Sequence, residues 1–182
     1  MQRPGGTEAT DDAAATAGVV VWLTGPPSAG KSTLAARIRE RLEHSGRPSC
    51  VLDSDDVRSA LRPVPGYRSQ ERDDFYATLA NLAALVARQG LVVLVAATAH
   101  REAYREQARS LAPRFLEVHV TASRADREGR DAKGLYARVR AGELAGVPGA
   151  DLPYEEPRHP DVVANGCQDD AALERIVALI GQ

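Results

Sequence analysis

An unbroken apolar segment near the start of the chain leads directly into a glycine-rich loop. The segment Val19–Thr24 has no alternating polar residues, which is typical of a central parallel strand covered on both faces. The loop that follows reads Gly25-Pro26-Pro27-Ser28-Ala29-Gly30-Lys31-Ser32 and fits the pattern G-x-x-x-x-G-K-[ST]. A helix is predicted next, over 31–44, because its apolar residues recur at a spacing of four. This order of strand, loop and helix predicts a phosphate-binding P-loop.

Several features of this loop suit the phosphates of a nucleotide. Its backbone N–H groups and the N-terminus of the following helix form a nest for an anion. Lys31 is predicted to reach the β and γ phosphates, and the Ser32 hydroxyl to bind Mg²⁺. The predicted nucleotide-binding residues are Gly25, Pro26, Pro27, Ser28, Ala29, Gly30, Lys31, Ser32 and Thr33. MgATP is the expected donor, and a chance Gly/Ser-rich turn is the disfavoured alternative.

Strands and helices alternate along the rest of the chain. Further strands are predicted at 50–52, 91–96, 115–120 and near 162–163, and further helices at 70–88, 101–111 and 169–180. This alternation predicts an α/β fold of the P-loop NTPase type, a three-layer sandwich with a mostly parallel, doubly wound sheet. We expect one P-loop kinase domain over 18–182 with a lid at about 124–147. Residues 1–17 are predicted to be a disordered leader.

Composition and charge limit the classes of partner. The 182 residues are 43% hydrophobic with a formal net charge of −2, which suits one globular domain and gives no electrostatic case for nucleic-acid or membrane binding. No apolar run approaches the ~20 residues that span a bilayer. Cys50 and Cys167 form neither a disulfide framework nor a metal-binding spacing, so we expect thiols in a reducing compartment. No signal peptide is recognisable, and a cytoplasmic enzyme is predicted.

Acidic residues follow the second predicted strand. Asp53 and Asp55 are two residues apart, and on an extended backbone their side chains would point to the same side. They also lie at the carboxyl end of the predicted sheet, where open α/β folds bind ligands. One carboxylate is predicted to hold a magnesium-bound water and the other to accept a proton from an acceptor hydroxyl. The structural alternative is a capping role, with Asp56 as the best candidate for the N-cap of a helix beginning near Val57.

Basic residues form two clusters in a chain whose net charge is negative. One flanks a proline-containing loop and comprises Arg58, Arg62, Arg68 and Arg72. The other comprises Arg127, Arg130, Lys133, Arg138 and Arg140. Basic clusters are usually solvated surfaces, but phosphoryl transfer needs cations that offset developing charge and clamp an anionic acceptor. We therefore predict that a basic segment closes over ATP as a lid.

Four motifs of the chain resemble those of the adenylylsulfate kinase (APS kinase) family. The first is Trp22-Leu23-Thr24-Gly25 with Ala29-Gly30-Lys31-Ser32-Thr33-Leu34-Ala35. The second resembles L-D-G-D-N-V-R and reads Leu52-Asp53-Ser54-Asp55-Asp56-Val57-Arg58. The third resembles D-x-K-G-L-Y and reads Asp131-Ala132-Lys133-Gly134-Leu135-Tyr136. The fourth is Arg140-Ala141-Gly142-Glu143 followed by Pro153-Tyr154-Glu155, so that the resemblance covers about 19–163.

The resemblance implies transfer of the γ-phosphoryl group of ATP to the 3′-hydroxyl of adenosine 5′-phosphosulfate (APS), giving PAPS. It implies that Asp55 lies near that hydroxyl, and that Arg58 and Arg72 hold the anionic groups of the acceptor. It implies catalytic roles for Lys31, Asp53, Asp55 and Arg130, the last within the lid. The implied substrate-binding residues are Asp55, Arg58, Tyr67 (stacked on adenine), Arg72, Phe75, Thr98, Lys133 and Leu135. Ser32 and Asp53 would hold Mg²⁺, Asp53 partly through water, and the resemblance also implies that a homodimer can form.

The departures from the family pattern concern the acceptor side. The family's E-N-I-R-R stretch appears as Asp74-Phe75-Tyr76-Ala77-Thr78, without an Asn and an Arg that usually contact APS. Its F-I-S-P stretch becomes Ala97-Thr98-Ala99-His100, and Val147 replaces a second stacking aromatic. Lost contacts of this kind weaken acceptor binding by several kcal/mol, to order of magnitude.

Three functional hypotheses follow from these residues. The first is an APS kinase-like enzyme with APS as the leading acceptor, and the second is the same chemistry on another small metabolite in a specialised pathway. The third is a nucleotide-binding regulator without catalysis, which the retention of Lys31, Ser32, Asp53 and Asp55 disfavours. A GTPase switch is disfavoured because the chain has no N-K-x-D motif.

Overall fold

The computed structural model describes residues 18–131 and 133–182, and the predicted leader at 1–17 lies outside the described residues. The strands are β1 (Val19–Thr24), β2 (Ser49–Asp53), β3 (Val92–Ala96), β4 (Phe115–Thr121) and β5 (Val162–Asn165). The helices are α1 (Lys31–His44), α2 (Ser54–Ala60), α3 (Ser69–Ala87), α4 (Glu102–Leu111), α5 (Arg124–Gly129), α6 (Leu135–Arg140) and α7 (Asp170–Ile180). Among these residues, no helix is long and apolar enough to cross a bilayer.

The strands form one parallel sheet in the order β2-β3-β1-β4-β5. β1 pairs with β3 on one edge, where Val19 lies opposite Val92, and with β4 on the other, where Val20 lies opposite Phe115. All six residues of β1 are buried. The unbroken apolar run therefore reflects coverage on both faces, and the predicted fold class is confirmed.

The side chains of β1 alternate between two cores, one on each face of the sheet. Its odd-numbered residues pack with α1 and α7, around Leu34 and Ile176. Val20 and Trp22 pack with α3 and α4 on the opposite face, around Leu79. Because helices cover both faces, ligands can approach β1 only at the ends of the sheet.

Local structure differs from the sequence prediction in two regions. Helix α2 begins at Ser54, not near Val57, and its N-cap is Asp53, whose carboxylate accepts a hydrogen bond from the Asp55 N–H (2.9 Å). The prediction that Asp56 is the cap was therefore wrong. Helices α5 and α6 had no predicted counterpart, because six residues are too few to show a helical period.

A buried ion pair holds the loop that follows β3. Arg105 on α4 is 1% exposed, and its Nε donates to the carboxylate of Glu117 on β4 (2.7 Å). Its Nη1 donates to the carbonyl of Ala99 (2.7 Å), which has a φ of +40°. A left-handed alanine is unfavourable, so the buried guanidinium stabilises this loop at the carboxyl edge of the sheet.

Removal of the Glu117 carboxylate would leave the Arg105 guanidinium buried without its main counter-ion. We expect Glu117→Ala to lower the free energy of unfolding by about 3–5 kcal/mol, as measured by urea denaturation. Glu106→Ala is the matched control because Glu106 is exposed and pairs with Arg109 at the surface, and it should cost less than about 1 kcal/mol. Equal losses in the two variants would contradict a structural role for the buried pair.

Candidate active site

The P-loop connects the end of β1 to the start of α1 at the carboxyl edge of the sheet. A Cβ on Gly25 would overlap the carbonyl oxygen of Val120 on β4. Gly30 has a φ of +101°, and a Cβ there would lie 2.8 Å from that of Cys167. Only glycine tolerates such close approach together with these backbone angles, so packing explains both loop glycines.

The N-terminus of α1 offers backbone donors to an anion. The N–H groups of Lys31, Ser32 and Thr33 belong to the first turn and have no carbonyl partner within the helix. Gly30 is the N-cap, and no side chain of the described residues caps the helix. Free donors and the helix dipole together favour a phosphate group at this point.

Lys31 folds back onto the loop that precedes it. Its Nζ donates to the carbonyls of Gly25 and Pro26, at 2.9 Å in both cases. Burial lowers the pKa of Lys31 from 10.5 to about 8, although the charges of Asp53 and Asp55 oppose this shift. A phosphate group would be a stronger partner than either carbonyl, because it is ionised.

Asp53 links the end of β2 to the P-loop. Its Oδ2 accepts a hydrogen bond from the Ser32 hydroxyl, while its Oδ1 caps α2. Asp55 lies in the first turn of that helix, and its carboxylate pairs with Lys133. The predicted extended backbone is therefore confirmed for Asp53 and wrong for Asp55. Both acids nevertheless lie close enough to Lys31 to raise its pKa.

The predicted lid contains α5 and α6, and described residues of it contact the site. Asp131 caps α6 by accepting hydrogen bonds from the first N–H groups of that helix. Lys133 reaches Asp55, and the Tyr136 hydroxyl donates to the carbonyl of Pro27 in the P-loop (3.0 Å). This one short segment therefore contacts both the P-loop and an acid of the site.

Arg130 and Leu135 occupy different parts of the lid. Arg130 is exposed at the end of α5, and a Cβ on Gly166 would lie 3.9 Å from its Nη1. Gly166 precedes Cys167, which packs against the P-loop at Gly30, so Arg130 lies on the donor side of the site. Leu135 is half-buried at the start of α6.

Arg58 lies between two aromatic rings. Its guanidinium carbon is 3.7 Å from the centre of the Phe75 ring and 4.5 Å from that of Tyr67. Its Nη1 donates to the carbonyls of Pro65 and Gly66 (3.1 and 2.7 Å). Arg58 is only 7% exposed, so much of its guanidinium orders the surrounding loop.

Arg72 and Tyr67 form the adjoining part of the predicted acceptor wall. Arg72 donates from Nε to the Tyr67 carbonyl and from Nη2 to the Gly146 carbonyl, both at 2.7 Å. It thereby ties α3 to the C-terminal end of the predicted lid. The Tyr67 side chain is 62% exposed, which leaves ring area available for stacking.

Two further residues of the predicted acceptor set are less accessible. Phe75 is 1% exposed and packs beneath Arg58, so its direct contact with a substrate stays a prediction. Thr98 is half-buried, and its carbonyl accepts a hydrogen bond from the Thr24 hydroxyl (2.7 Å). Its role as a substrate-binding residue stays a prediction.

Two tyrosines that contact the P-loop region had no predicted role. Tyr136 donates to Pro27, and the Tyr154 hydroxyl lies 3.0 Å from that of Thr24, the last residue of β1. Each belongs to a specific motif, K-G-L-Y or P-Y-E, and that membership was the only signal in the sequence. Hydrophobic periodicity could not reveal these contacts, because they join residues more than 100 positions apart.

With a P-loop at the end of β1 and the segment that carries α6 in contact with it, the molecule has the architecture of a P-loop phosphotransferase. The sequence profile described as adenylylsulphate kinase matches residues 17–165. The chain therefore belongs to the adenylylsulphate kinase family, whose members are phosphotransferases that act on a hydroxyl group.

Individual relatives are similar over nearly the full length of both chains. A probable adenylyl-sulfate kinase of Synechocystis is 39% identical over 165 residues, which cover 91% of this chain and 90% of the relative. The adenylyl-sulfate kinase of Microcystis aeruginosa is 40% identical over 164 residues, with 90% and 89% covered. The APS kinase of Mycobacterium tuberculosis, solved in complex with AMPPNP and APS, has a TM-score of 0.82 at 35% identity, with 89% and 97% covered.

Nucleotide binding should change the protonation of Lys31. Its pKa of about 8 in the free protein means that much of the side chain is neutral at pH 8.5. The phosphates of ATP favour the charged form and raise the pKa, so binding takes up a proton at this pH. Calorimetric titration in two buffers of different ionisation enthalpy should show uptake of roughly half a proton or more at pH 8.5 and far less at pH 6.5. A binding enthalpy independent of the buffer at pH 8.5 would contradict this assignment.

Proposed function

We propose that this protein transfers the γ-phosphoryl group of ATP to the 3′-hydroxyl of APS and forms PAPS. The observation that carries the proposal is the junction at which the P-loop, the acids after β2 and the lid meet, formed by Ser32, Asp53, Asp55 and Lys133. Family membership supports the reaction, and the APS kinase of M. tuberculosis, similar over nearly the whole chain, was solved with AMPPNP and APS.

ATP and Mg²⁺ are the proposed donor and metal. Lys31 and the first turn of α1 would hold the β and γ phosphates. The Ser32 hydroxyl and the Asp53 carboxylate lie together, and oxygen ligands of this kind suit Mg²⁺, with Asp53 acting partly through water. Bound there, the metal would neutralise charge that develops on the transferred group.

Asp55 is the proposed proton acceptor. An acceptor hydroxyl that donates to its carboxylate would lose the proton to Asp55 as the hydroxyl oxygen attacks the γ-phosphorus. The bond from that phosphorus to the oxygen of ADP breaks as the new bond forms. Lys31 and Arg130 would offset the charge on the phosphoryl oxygens, and Lys133 brings a cation beside Asp55.

The acceptor is proposed to bind between α2, α3 and the lid. The exposed Tyr67 ring would stack on the adenine of APS. Because backbone carbonyls order Arg58 and Arg72, these guanidinium groups would present fixed positive charge to the phosphosulfate. Lys133 and Leu135 would close the pocket from the lid side.

Another small hydroxyl compound is the second candidate acceptor. Phe75 is buried at the position where the family pattern has an asparagine, and Ala77 replaces an arginine. The proposed acceptor site therefore lacks two polar side chains that usually contact APS in the family. The residues proposed to bind ATP show no comparable replacement. In this alternative the protein transfers the same phosphoryl group to a different acceptor.

The proposed location is the cytoplasm, and the proposed assembly is a homodimer. We propose a cytoplasmic enzyme of sulfate assimilation, because its acceptor is an activated form of sulfate. The family resemblance favours a homodimer, which sedimentation equilibrium would test. No nucleic-acid or membrane partner is proposed, in keeping with a net charge of only −2.

ADP release that depends on APS is the first expected outcome. A coupled assay with MgATP should give a higher kcat/KM for APS than for any other hydroxyl compound in a panel of nucleotides and small alcohols. A kcat/KM for APS far below that for another compound would favour the second candidate. If the protein binds ATP but releases no ADP with any acceptor in the panel, a regulator without catalysis would be favoured.

Replacement of the proton acceptor should separate chemistry from donor binding. We expect Asp55→Asn to lower kcat by about 10²–10⁴-fold, because the amide cannot take the proton. The dissociation constant for ATP should change little, since Asp55 does not contact the P-loop backbone. Asp56→Asn is the matched control, because Asp56 is an exposed neighbour in the same helical turn. Near-normal turnover in Asp55→Asn would remove this residue from the proposed role.

A further inference from the structure

The first three carbonyl groups of the P-loop are held by two side chains. Lys31 donates hydrogen bonds to the carbonyls of Gly25 and Pro26, and Tyr136 donates one to the carbonyl of Pro27. When ATP binds, Lys31 is expected to exchange its carbonyl partners for phosphate oxygens. Tyr136 has no such exchange to make, because its hydroxyl faces the loop from the lid. It is therefore the partner that can hold the loop in the nucleotide complex.

The hydrogen bond at Pro27 sets the direction of the next N–H group. The peptide between Pro27 and Ser28 is trans, so the Ser28 N–H points away from the carbonyl that Tyr136 holds. Ser28 has a φ of +63°, which is uncommon for a residue other than glycine. Pro26 and Pro27 have no N–H, so Ser28 is the first residue after Gly25 that can donate to an anion.

The Tyr136 hydroxyl is itself fixed in orientation. Tyr136 is 3% exposed, and its oxygen accepts a hydrogen bond from Nη1 of Arg127 (3.0 Å). This leaves its proton for the carbonyl of Pro27 (3.0 Å). Burial raises the pKa of Tyr136, so the hydroxyl remains a donor across the neutral range. Arg127, Tyr136 and Pro27 thus form a directed chain from α5 through α6 to the P-loop.

We propose that Tyr136 is a positioning residue for the donor nucleotide. Its hydroxyl keeps the Pro27–Ser28 peptide turned so that the Ser28 N–H faces the phosphates. Because Tyr136 lies on α6, the order of the P-loop depends on docking of the lid. Lys133, three residues earlier, pairs with Asp55. The same segment therefore positions both the P-loop and the proposed proton acceptor. The inference rests on the proposed function only in taking ATP as donor.

A conservative variant tests this role. Tyr136→Phe keeps the buried ring and removes the hydroxyl. Calorimetric titration with AMPPNP and Mg²⁺ should show a dissociation constant about tenfold higher than that of the wild type. In steady-state assays, KM for ATP should rise by a similar factor, while kcat changes much less.

Tyr104→Phe is the matched control, because Tyr104 is a buried tyrosine on α4 whose hydroxyl donates to Asp73 (2.6 Å). Both variants should lower the melting temperature, but Tyr104→Phe should leave the AMPPNP dissociation constant within about twofold of the wild type. Unchanged AMPPNP binding in Tyr136→Phe, or equal weakening in both variants, would overturn the inference and leave the proposed function standing. Failure of the wild-type protein to bind AMPPNP would instead overturn the proposed donor and the inference with it.

Discussion

Burial of β1 on both faces and along both edges leaves only the ends of this strand open to a ligand. β3 and β4 flank it in the sheet, and two helical layers seal its side chains into separate cores. Because the strands are parallel, the carboxyl ends of β1, β2 and β3 lie at one edge. The P-loop, Asp53 and the loop after β3 start from those ends. The site is therefore a consequence of the sheet order as much as of the residues themselves.

Charge is balanced within the site by pairs that substrates can replace. Lys31 lies near Asp53 and Asp55, and Lys133 pairs with Asp55. Binding of MgATP would bring phosphate oxygens to Lys31, and binding of an anionic acceptor would bring a second set of charges to Lys133. Asp55, the proposed proton acceptor, therefore interacts with both lysines. The tyrosine on α6 connects this electrostatic arrangement to the geometry of the P-loop.

Hydrophobic patterning was enough to predict β1, α1 and the sheet class, because burial alone decides these elements. The P-loop residues could be assigned from their spacing and their place between strand and helix. The N-cap of α2 was assigned to Asp56 and not to Asp53, because Asp53 also ends β2 and one residue serves two elements. The burial of Phe75 beneath Arg58 could not be predicted either, because it depends on tertiary packing. The contact from Tyr136 to Pro27 spans 109 positions, so no local pattern could reveal it.

The position of the transferred phosphoryl group in the product tests the proposed reaction with APS. Wild-type protein, MgATP and APS would be incubated, and the product examined by ³¹P and ¹H nuclear magnetic resonance. Transfer to the 3′-hydroxyl predicts a new phosphomonoester whose phosphorus couples to the proton on the 3′ carbon of the ribose, in an amount equal to the ADP released. A phosphoryl group on another oxygen of APS, or recovery of the γ-phosphate only as inorganic phosphate, would contradict it.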